Sequence, residues 1–160
     1  MRVAGIIKNS VVNGEGIRDV VFVQGCPHHC RGCHNPQTWD FFGGKEMTTE
    51  EIRYALADSS NHVTISGGEP MVQPDLSDLV WRLRQDHKSV WIYTGYRYED
   101  VPKGAWEELY WYGADVVVDG RYEADKRDLT LQFRGSSNQR IIDLGKTLEA
   151  NKIVLWEDSK

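Results

Sequence analysis

The sequence predicts an α/β fold in which a mostly parallel sheet forms an incomplete (βα) barrel, open on one side. Short β-branched runs alternate with amphipathic helical segments, and strand, helix, strand at this rhythm is typical of right-handed parallel βαβ units. The chain has 160 residues, whereas a complete eight-fold barrel typically takes ~250 residues. The available length therefore predicts a partial barrel.

Composition limits the domain count and the function class. A hydrophobic content of 40% over 160 residues predicts one sizeable core, so we expect a single domain over residues 1–160. The net charge is −5 and no basic block stands out, which argues against a nucleic-acid partner. No apolar run approaches the ~20 residues of a membrane span, and the first residues lack a signal-peptide core. We therefore expect a cytoplasmic protein without a membrane partner.

The first predicted strands lead to a cysteine-rich loop. Residues 3–7 form a short apolar run, and turn residues at 13–16 interrupt the pattern. Residues 20–23 are continuously apolar and β-branched, as in a buried parallel strand. That strand ends immediately before Gly25 and Cys26. Ligand sites in α/β sheets lie at such carboxyl ends.

The middle of the chain shows clear helix and strand signals. Residues 34–47 have no period and are expected to be irregular. Thr48 and Glu51 have the capping-box spacing, which predicts a helix start. A strand is expected over 62–66, and Pro74 suits the first position of the next helix.

The same unit then recurs before the pattern changes. We expect a strand over 90–93, a helix that ends at Gly113 and a strand over 115–118. After Gly120 the sequence is less regular. The expectations there are alternation over 129–133, a polar loop over 134–139, and apolar runs at 141–142 and 153–155 that can add strands.

All three cysteines lie within eight consecutive residues: Cys26, Cys30 and Cys33. Three thiols suit a metal site better than a disulfide framework, which needs an even number. An iron–sulfur cube on three thiolates would leave one iron without a protein ligand. A zinc site would need a fourth ligand from His28, His29 or His34. Three unrelated thiols are the remaining alternative.

The spacing Cys26-x3-Cys30-x2-Cys33 resembles the cluster motif of radical S-adenosylmethionine (AdoMet) enzymes. The longer pattern resembles the branch that activates glycyl-radical enzymes; it comprises Gly14, Glu15, Gly16, Arg18, Phe22, His34 and Asn35. The resemblance implies a partial barrel with the cysteine loop (residues 25–35) at its mouth. It also implies one 4Fe-4S cluster on the three cysteines, with AdoMet bound to the fourth iron and cleaved reductively.

A second motif follows the strand predicted over 62–66. Gly67, Gly68, Glu69 and Pro70 resemble the AdoMet-binding GGEP motif of the same enzymes. Glycines let the backbone approach a ligand that a Cβ would obstruct, and exposed carbonyls there can accept from the AdoMet ammonium. The alternative interpretation is an ordinary turn.

Other site candidates rest on position. Asn35 matches the family pattern and is a candidate to bond a cluster sulfide or AdoMet, although an Asn before Pro36 also starts turns. Thr94, Asp119 and Arg121 follow later strands. In related activating enzymes such positions help bind AdoMet or a nearby monovalent cation, and the alternative is ordinary polar strand caps.

Three residues of the cysteine loop carry further expectations. His28 and His29 are expected to face solvent instead of binding metal. Gly32 departs from the wider superfamily, in which an aromatic residue usually precedes the last cysteine and touches the adenine. The sequence therefore leaves open how the adenine is held.

Arg18, which lies before the second predicted strand, has two interpretations. Next to two glycines, it fits either the activase pattern or an exposed turn.

Residues 134–140 resemble a segment of the activators of anaerobic ribonucleotide reductases, although they are polar enough for a plain surface loop. The resemblance implies an anaerobic ribonucleoside-triphosphate reductase as protein partner and a low-potential one-electron donor; a homodimer is left open. An activator of pyruvate formate-lyase or a similar enzyme is the runner-up. A zinc-stabilised binding module and a radical AdoMet enzyme acting on a small molecule are the alternatives from other classes.

Overall fold

A computed structural model describes residues 1–157. The single-domain prediction spans residues 1–160, of which 158–160 lie outside the described part. The described residues form one seven-stranded sheet and four α-helices. The strands are β1 (Arg2–Ser10), β2 (Arg18–Val23), β3 (Lys45–Glu46), β4 (His62–Gly67), β5 (Val90–Tyr93), β6 (Ala114–Asp119) and β7 (Arg140–Asp143). The helices are α1 (Thr49–Leu56), α2 (Leu76–Gln85), α3 (Lys103–Tyr112) and α4 (Leu144–Ala150).

The sheet is open and mixed, with the order β3-β1-β2-β4-β5-β6-β7. Strands β2, β4, β5 and β6 are parallel to one another. Strand β1 pairs antiparallel with β2 and with β3, and β7 pairs antiparallel with β6. The α/β prediction is confirmed, and parallel pairing holds for the centre of the sheet but not for its edges.

One face of the sheet packs against the helices. Alternate strand residues such as Val21, Ile65, Ile92 and Val117 are fully buried there. Each helix contributes an apolar stripe to the same core, including Ile52, Leu56, Leu79, Leu83, Trp106 and Leu144. The side chains between these strand positions therefore point to the opposite face.

The opposite face carries a second, smaller core. Trp91, Val116 and Val118 are buried there, and Phe133 and Trp156 pack against them from segments that follow β6 and β7. Trp91 meets the Phe133 and Trp156 rings edge-on, with centroids at 5.5 and 5.1 Å. Connecting segments, not helices, cover this face.

Local capping signals set two helix boundaries as predicted. Thr48 caps α1 with a complete capping box, in which Glu51 is the reciprocal partner. Gly113 ends α3 at φ +127°, a backbone conformation that favours glycine. The prediction for Pro74 is wrong: α2 begins at Leu76 with Asp75 as its N-cap, so Pro74 lies before the helix.

Several boundaries differ from the expectations. Strand β1 is longer than residues 3–7, and the irregular segment 34–47 contains a short 3-10 helix and β3. Residues 129–133 form no strand, and residues 153–155 contribute a single bridge between Leu155 and Ile142. Helix α4 was not predicted. None of the helices described over residues 1–157 has the length and the apolar character of a membrane-spanning segment.

Candidate active site

The carboxyl ends of the four parallel strands meet at one edge of the sheet, around a cavity of about 600 Å³. Strand β2 leads to the cysteine loop, β4 ends at Gly67 directly before Gly68, β5 precedes Thr94, and β6 precedes Arg121. Most predicted site residues line this one cavity: Cys26, Cys30, Cys33, Asn35, Gly67, Gly68, Thr94 and Arg121. The parallel strand order therefore brings distant motifs together.

The three thiols lie at different depths. Cys26 is buried, whereas Cys30 and Cys33 are half-buried, and the backbone N–H of Asn35 donates to Cys33 Sγ at 3.3 Å. Burial raises the pKa of the Cys26 thiol and of the Cys30 thiol. Binding of a metal centre requires the thiolate forms, so it would release the protons of these thiols.

The thiols fit the donor set of a cluster. Within residues 1–157, no group of three or more His, Cys, Asp or Glu side chains converges on a point that suits a single metal ion. A cubane does not need such convergence, because each thiolate binds a different iron. The three cysteines are therefore candidates for separate irons of one cluster.

The segment over residues 36–44 supports the cysteine loop from behind. The Gly25 N–H donates to Thr38 O at 2.7 Å, and the Cys26 N–H donates to Trp39 O at 3.2 Å. Gly25 has φ +105°, and a Cβ there would lie 2.6 Å from the Phe41 ring. These contacts fix the backbone at the first cysteine.

The two glycines at the end of β4, Gly67 and Gly68, lie against the chain's own backbone. A Cβ on Gly68 would lie 2.3 Å from Gly25 O, and one on Gly67 would lie 2.6 Å from Val23 N and O. In addition, the Glu69 N–H donates to Gly25 O at 2.8 Å. Position 68 requires glycine because the cysteine loop occupies its side-chain space, a reason that the motif alone did not indicate.

Glu69 and Pro70 are buried beneath the cavity instead of lining it. The Glu69 carboxylate accepts hydrogen bonds from the Thr94 hydroxyl and the Gly95 N–H. Thr94 is itself buried, and its hydroxyl is bonded to this carboxylate. The end of β4 is thus tied to the end of β5.

The solvent-facing prediction is wrong for His28. Its side chain is only 4% exposed, and Nε2 lies 2.7 Å from Glu69 Oε1. The reason is that the ring reaches Glu69 through the space that Gly95 leaves free, where a Cβ would lie 2.5 Å from His28 Cδ2. His29 is exposed as predicted, and its ring stacks on Trp39 at 4.6 Å.

The two candidates after β6 differ in position. Asp119 is buried and accepts hydrogen bonds from the Tyr98 N–H at 2.7 Å and from Arg140, outside the lining of the cysteine cavity. The hydrogen bonds that Arg140 donates to Asp119 and Glu99 raise the pKa of its guanidinium. Arg121 is exposed and lines the cavity.

Tyr122 is a site residue that the sequence patterns missed. Its ring lies 3.4 Å from the position that a Cβ on Gly32 would take and 3.1 Å from that of Gly135. It also contacts the His34 ring, with centroids 4.9 Å apart. An aromatic side chain from the loop after β6 therefore covers the glycine that precedes the last cysteine.

The 134–140 segment folds over the end of β6. Gln139 Oε1 accepts from the backbone N–H groups of Gly135 and Ser136, while Gln139 Nε2 donates to Gly120 O at 3.0 Å. Arg134, Gly135 and Gln139 line the cavity. The segment is therefore a wall of the site.

The opposite end of the strands is closed by Arg18. Its side chain is 1% exposed, so the exposed-turn alternative is wrong. The guanidinium donates to Thr64 Oγ1 and to the backbone oxygens of Val63 and Ser89, each at 2.9 Å. Arg18 is thus a buried structural residue at the amino ends of β2, β4 and β5.

The side of the cavity is bordered by exposed aliphatic residues. Val11, Val12 and Leu129 all line the cavity, with exposures of 64%, 70% and 83%. They come from the loop after β1 and the segment after β6. We call these three residues the apolar rim.

Comparisons with known proteins agree with this geometry. Residues 12–142 match the family model described as a 4Fe-4S single cluster domain. The anaerobic ribonucleoside-triphosphate reductase-activating protein of Pasteurella multocida (strain Pm70) is 36% identical over 142 residues, which cover 82% of this chain and 90% of that protein. The protein of the same name from Enterobacteria phage T4 is 37% identical over 139 residues, covering 81% and 86%.

One solved structure has a weaker likeness. QueE from Escherichia coli aligns with a TM-score of 0.48 and 22% identity, over 59% of this chain and 51% of its own. The family model covers most of this chain, and the similarity to the two reductase-activating proteins extends over most of both chains. The chain contains a 4Fe-4S single cluster domain and belongs to the family of anaerobic ribonucleoside-triphosphate reductase-activating proteins.

Proposed function

We propose that the chain is a radical AdoMet activase that generates a glycyl radical on an anaerobic ribonucleoside-triphosphate reductase. The observation that carries this proposal is that Cys26, Cys30 and Cys33 line the same cavity as Gly67 and Gly68. When bound, the cluster supplies the electron that splits AdoMet into methionine and a 5′-deoxyadenosyl radical. Membership of the activating-protein family supports the same function.

The cavity suits both groups. Its volume of about 600 Å³ lies within the usual range for small-molecule sites. Cys26, Cys30 and Cys33 would hold three irons and leave the fourth for AdoMet. The backbone carbonyls of Gly67 and Gly68 are the proposed acceptors for the AdoMet ammonium.

The remaining predicted residues have supporting roles in this proposal. Asn35 and Arg121 line the cavity and are proposed to contact the cofactors directly. Thr94 contributes to the cavity wall, and Glu69 and Pro70 support the glycines from beneath. These residues orient the cofactor and exclude water from it.

Tyr122 is proposed to provide the surface for the adenine. Planar bases stack on aromatic side chains, and Tyr122 lies in the cavity beside Gly32, where the loop itself offers no side chain. The Tyr122 ring would thus take the role of the aromatic residue that other members of the superfamily have at the position of Gly32.

The apolar rim is the proposed entry for the partner. A glycine that reacts must come within reach of the cofactor, so a segment of the reductase has to enter the cavity from the side. Exposed aliphatic side chains around an opening are typical of protein-binding surfaces. Val11, Val12 and Leu129 would contact the residues that flank the target glycine.

The proposal also covers the extent of the domain, the shape of the sheet, the location of the protein and its other partners. We propose that the chain is a single domain over 1–160, that its open sheet curves into a partial barrel, and that it acts in the cytoplasm. A low-potential one-electron donor is the second proposed partner, and a homodimer stays a prediction.

The test is anaerobic reconstitution followed by electron paramagnetic resonance. The reduced protein, AdoMet and an anaerobic ribonucleoside-triphosphate reductase should give about four irons per chain and an organic glycyl doublet on the reductase. Cys30→Ala should abolish the cluster and the doublet, whereas Arg31→Ala, an exposed neighbour, should retain both.

Two results would redirect the proposal. AdoMet cleavage without a doublet on this reductase, but with one on pyruvate formate-lyase, would favour the runner-up partner. A colourless protein that retains zinc in place of iron would overturn the activase function itself.

A further inference from the structure

His28 occupies an unusual position in the cysteine loop. It lies between Cys26 and Cys30, yet its side chain points away from solvent and is only 4% exposed. Nε2 lies 2.7 Å from Oε1 of Glu69, whose side chain is fully buried. The cysteine loop is therefore joined directly to the motif that follows β4.

The Glu69 carboxylate connects more than two segments. It accepts from Thr94 Oγ1 at 2.8 Å, from the Gly95 N–H at 2.7 Å and from the Met71 N–H at 2.9 Å. Because an ionised carboxylate can only accept, the His28 tautomer that fits is the one with its proton on Nε2. One carboxylate thus holds the cysteine loop, the end of β4 and the end of β5 together.

The His28 ring has a fixed place among its neighbours. A Cβ on Gly95 would lie 2.5 Å from His28 Cδ2, so the ring fills the space that glycine leaves free. The Tyr96 ring contacts it edge-on, with centroids 4.6 Å apart at 75°. The ring orientation is therefore set by packing as well as by the hydrogen bond.

We propose that His28 is a positioning residue for AdoMet: through Glu69 it fixes the cysteine loop relative to Gly67 and Gly68. This inference rests on the proposed function. The thiols themselves do not bond to Glu69, so a cluster should still assemble when the link is lost. What should suffer is the separation between the cluster and the backbone groups that hold AdoMet.

The test compares His28→Phe with His28→Gln. Phenylalanine fills the same space without a hydrogen bond, whereas glutamine can donate from a similar position. His29→Phe is the matched control, because His29 lies in the same loop but is exposed and stacks on Trp39. Iron per chain, AdoMet affinity by equilibrium dialysis, and the paramagnetic spectrum of the reduced cluster with and without AdoMet are measured.

We expect His28→Phe to keep its iron but to bind AdoMet about tenfold more weakly, which corresponds to about 1.4 kcal/mol. The AdoMet-induced spectral change should also shrink. His28→Gln should recover most of the affinity, and His29→Phe should match the unsubstituted protein. If His28→Phe fails to fold, Glu69→Gln tests the same link. The glutamine side chain carries an NH2 donor in place of one carboxylate oxygen, and the groups around that oxygen are themselves donors.

Unchanged AdoMet affinity and an unchanged spectrum in His28→Phe, or in Glu69→Gln where His28→Phe does not fold, would overturn the positioning role while leaving the proposed function intact. Failure of the unsubstituted, iron-loaded protein to bind AdoMet would overturn both.

Discussion

The guanidinium of Arg18 lies over the ring of Trp91, with its central carbon 5.4 Å from the ring centroid. Both side chains are buried, and burial lowers the pKa of Arg18 to about 10. A Cβ on Gly14 would lie 2.8 Å from the Arg18 side chain and 2.9 Å from Trp91. Gly14 and Arg18 of the activase pattern therefore form part of the packed base of the fold.

Removing this guanidinium should destabilise the protein. Arg18→Met keeps most of the volume but removes the hydrogen bonds that the guanidinium donates to Thr64 Oγ1 and to the Val63 and Ser89 oxygens, of which Ser89 O still accepts the Val63 N–H. A buried acceptor that loses its donor costs about 1–3 kcal/mol, so we expect these losses together to lower the free energy of unfolding by about 3 kcal/mol. Denaturant titration measures this free energy of unfolding. Arg31→Met, at an exposed ion pair, should change it little.

Gly68→Ala should disturb the cysteine loop as well as the AdoMet edge. The added Cβ meets Gly25 O at 2.3 Å, a backbone contact that cannot relax through a rotamer change. We expect a loss of about 1–3 kcal/mol in stability and reduced iron incorporation. Gly5→Ala is the matched control, because nothing lies within 4 Å of its Cβ position. Equal iron content in the two variants would contradict this.

Tyr122 should contribute to AdoMet affinity. Tyr122→Ala removes the stacking surface, which is worth about 1–3 kcal/mol for a base on an aromatic ring. Tyr122→Phe keeps the ring and should bind AdoMet nearly as well as the unsubstituted protein. Equilibrium dialysis on iron-loaded protein measures both, and equal affinities for the alanine and phenylalanine variants would refute the stacking role.

The apolar rim should affect the partner and not the cofactors. Val12→Asp or Leu129→Asp should weaken reductase activation by about tenfold, since a charge at an apolar contact costs on the order of 1–2 kcal/mol. AdoMet cleavage without the reductase should not change. Tyr54→Asp, at an equally exposed residue on α1, serves as the control. A similar loss in that control would remove the specific role of the rim.

His62 should make the stability pH-dependent. His62 lies at the surface, where partial desolvation by its neighbours lowers its pKa, with further lowering by Arg18 and Lys88, and its Nδ1 accepts the Ser89 N–H at 2.9 Å. As the pH falls below about 6.5, the unfolded chain takes up this proton before the folded chain does, so stability decreases.

The His62→Asn variant isolates this effect. Its amide oxygen can accept the same N–H but does not titrate. Thermal unfolding between pH 7.5 and 5.5, a range chosen around the ordinary histidine pKa of about 6.5, should show a shallower decline for His62→Asn. Parallel curves for the two proteins would show that His62 makes no such contribution.

The sequence predicted those parts of the site that depend on local order. The strand run before Cys26 and the glycines after β4 indicated which loops meet, because parallel strands bring their carboxyl ends to one edge. Capping residues such as Thr48 and Gly113 indicated helix ends for equally local reasons. The antiparallel edges were missed because β1 and β7 carry no local signal of strand direction.

Contacts between distant loops could not be predicted. Periodicity describes one element at a time, whereas the inward turn of His28 depends on Glu69 and on the missing side chain of Gly95. In the sequence, Tyr122 is an aromatic residue in a loop without any special pattern. Only the fold shows that the end of β6 brings it beside Gly32. These pairings come from tertiary packing.

The division of the cavity between loops has a consequence for redirecting the protein to another target. The cysteine loop and the β4 glycines belong to the first half of the chain, whereas Leu129 and the 134–140 wall follow β6. The residues that we propose to contact the cofactors reach only as far as Tyr122, so the chain after it can vary with the target. Exchange of residues 123–139 between family members, with Arg121 and Tyr122 kept, offers a route to direct the radical to another target protein.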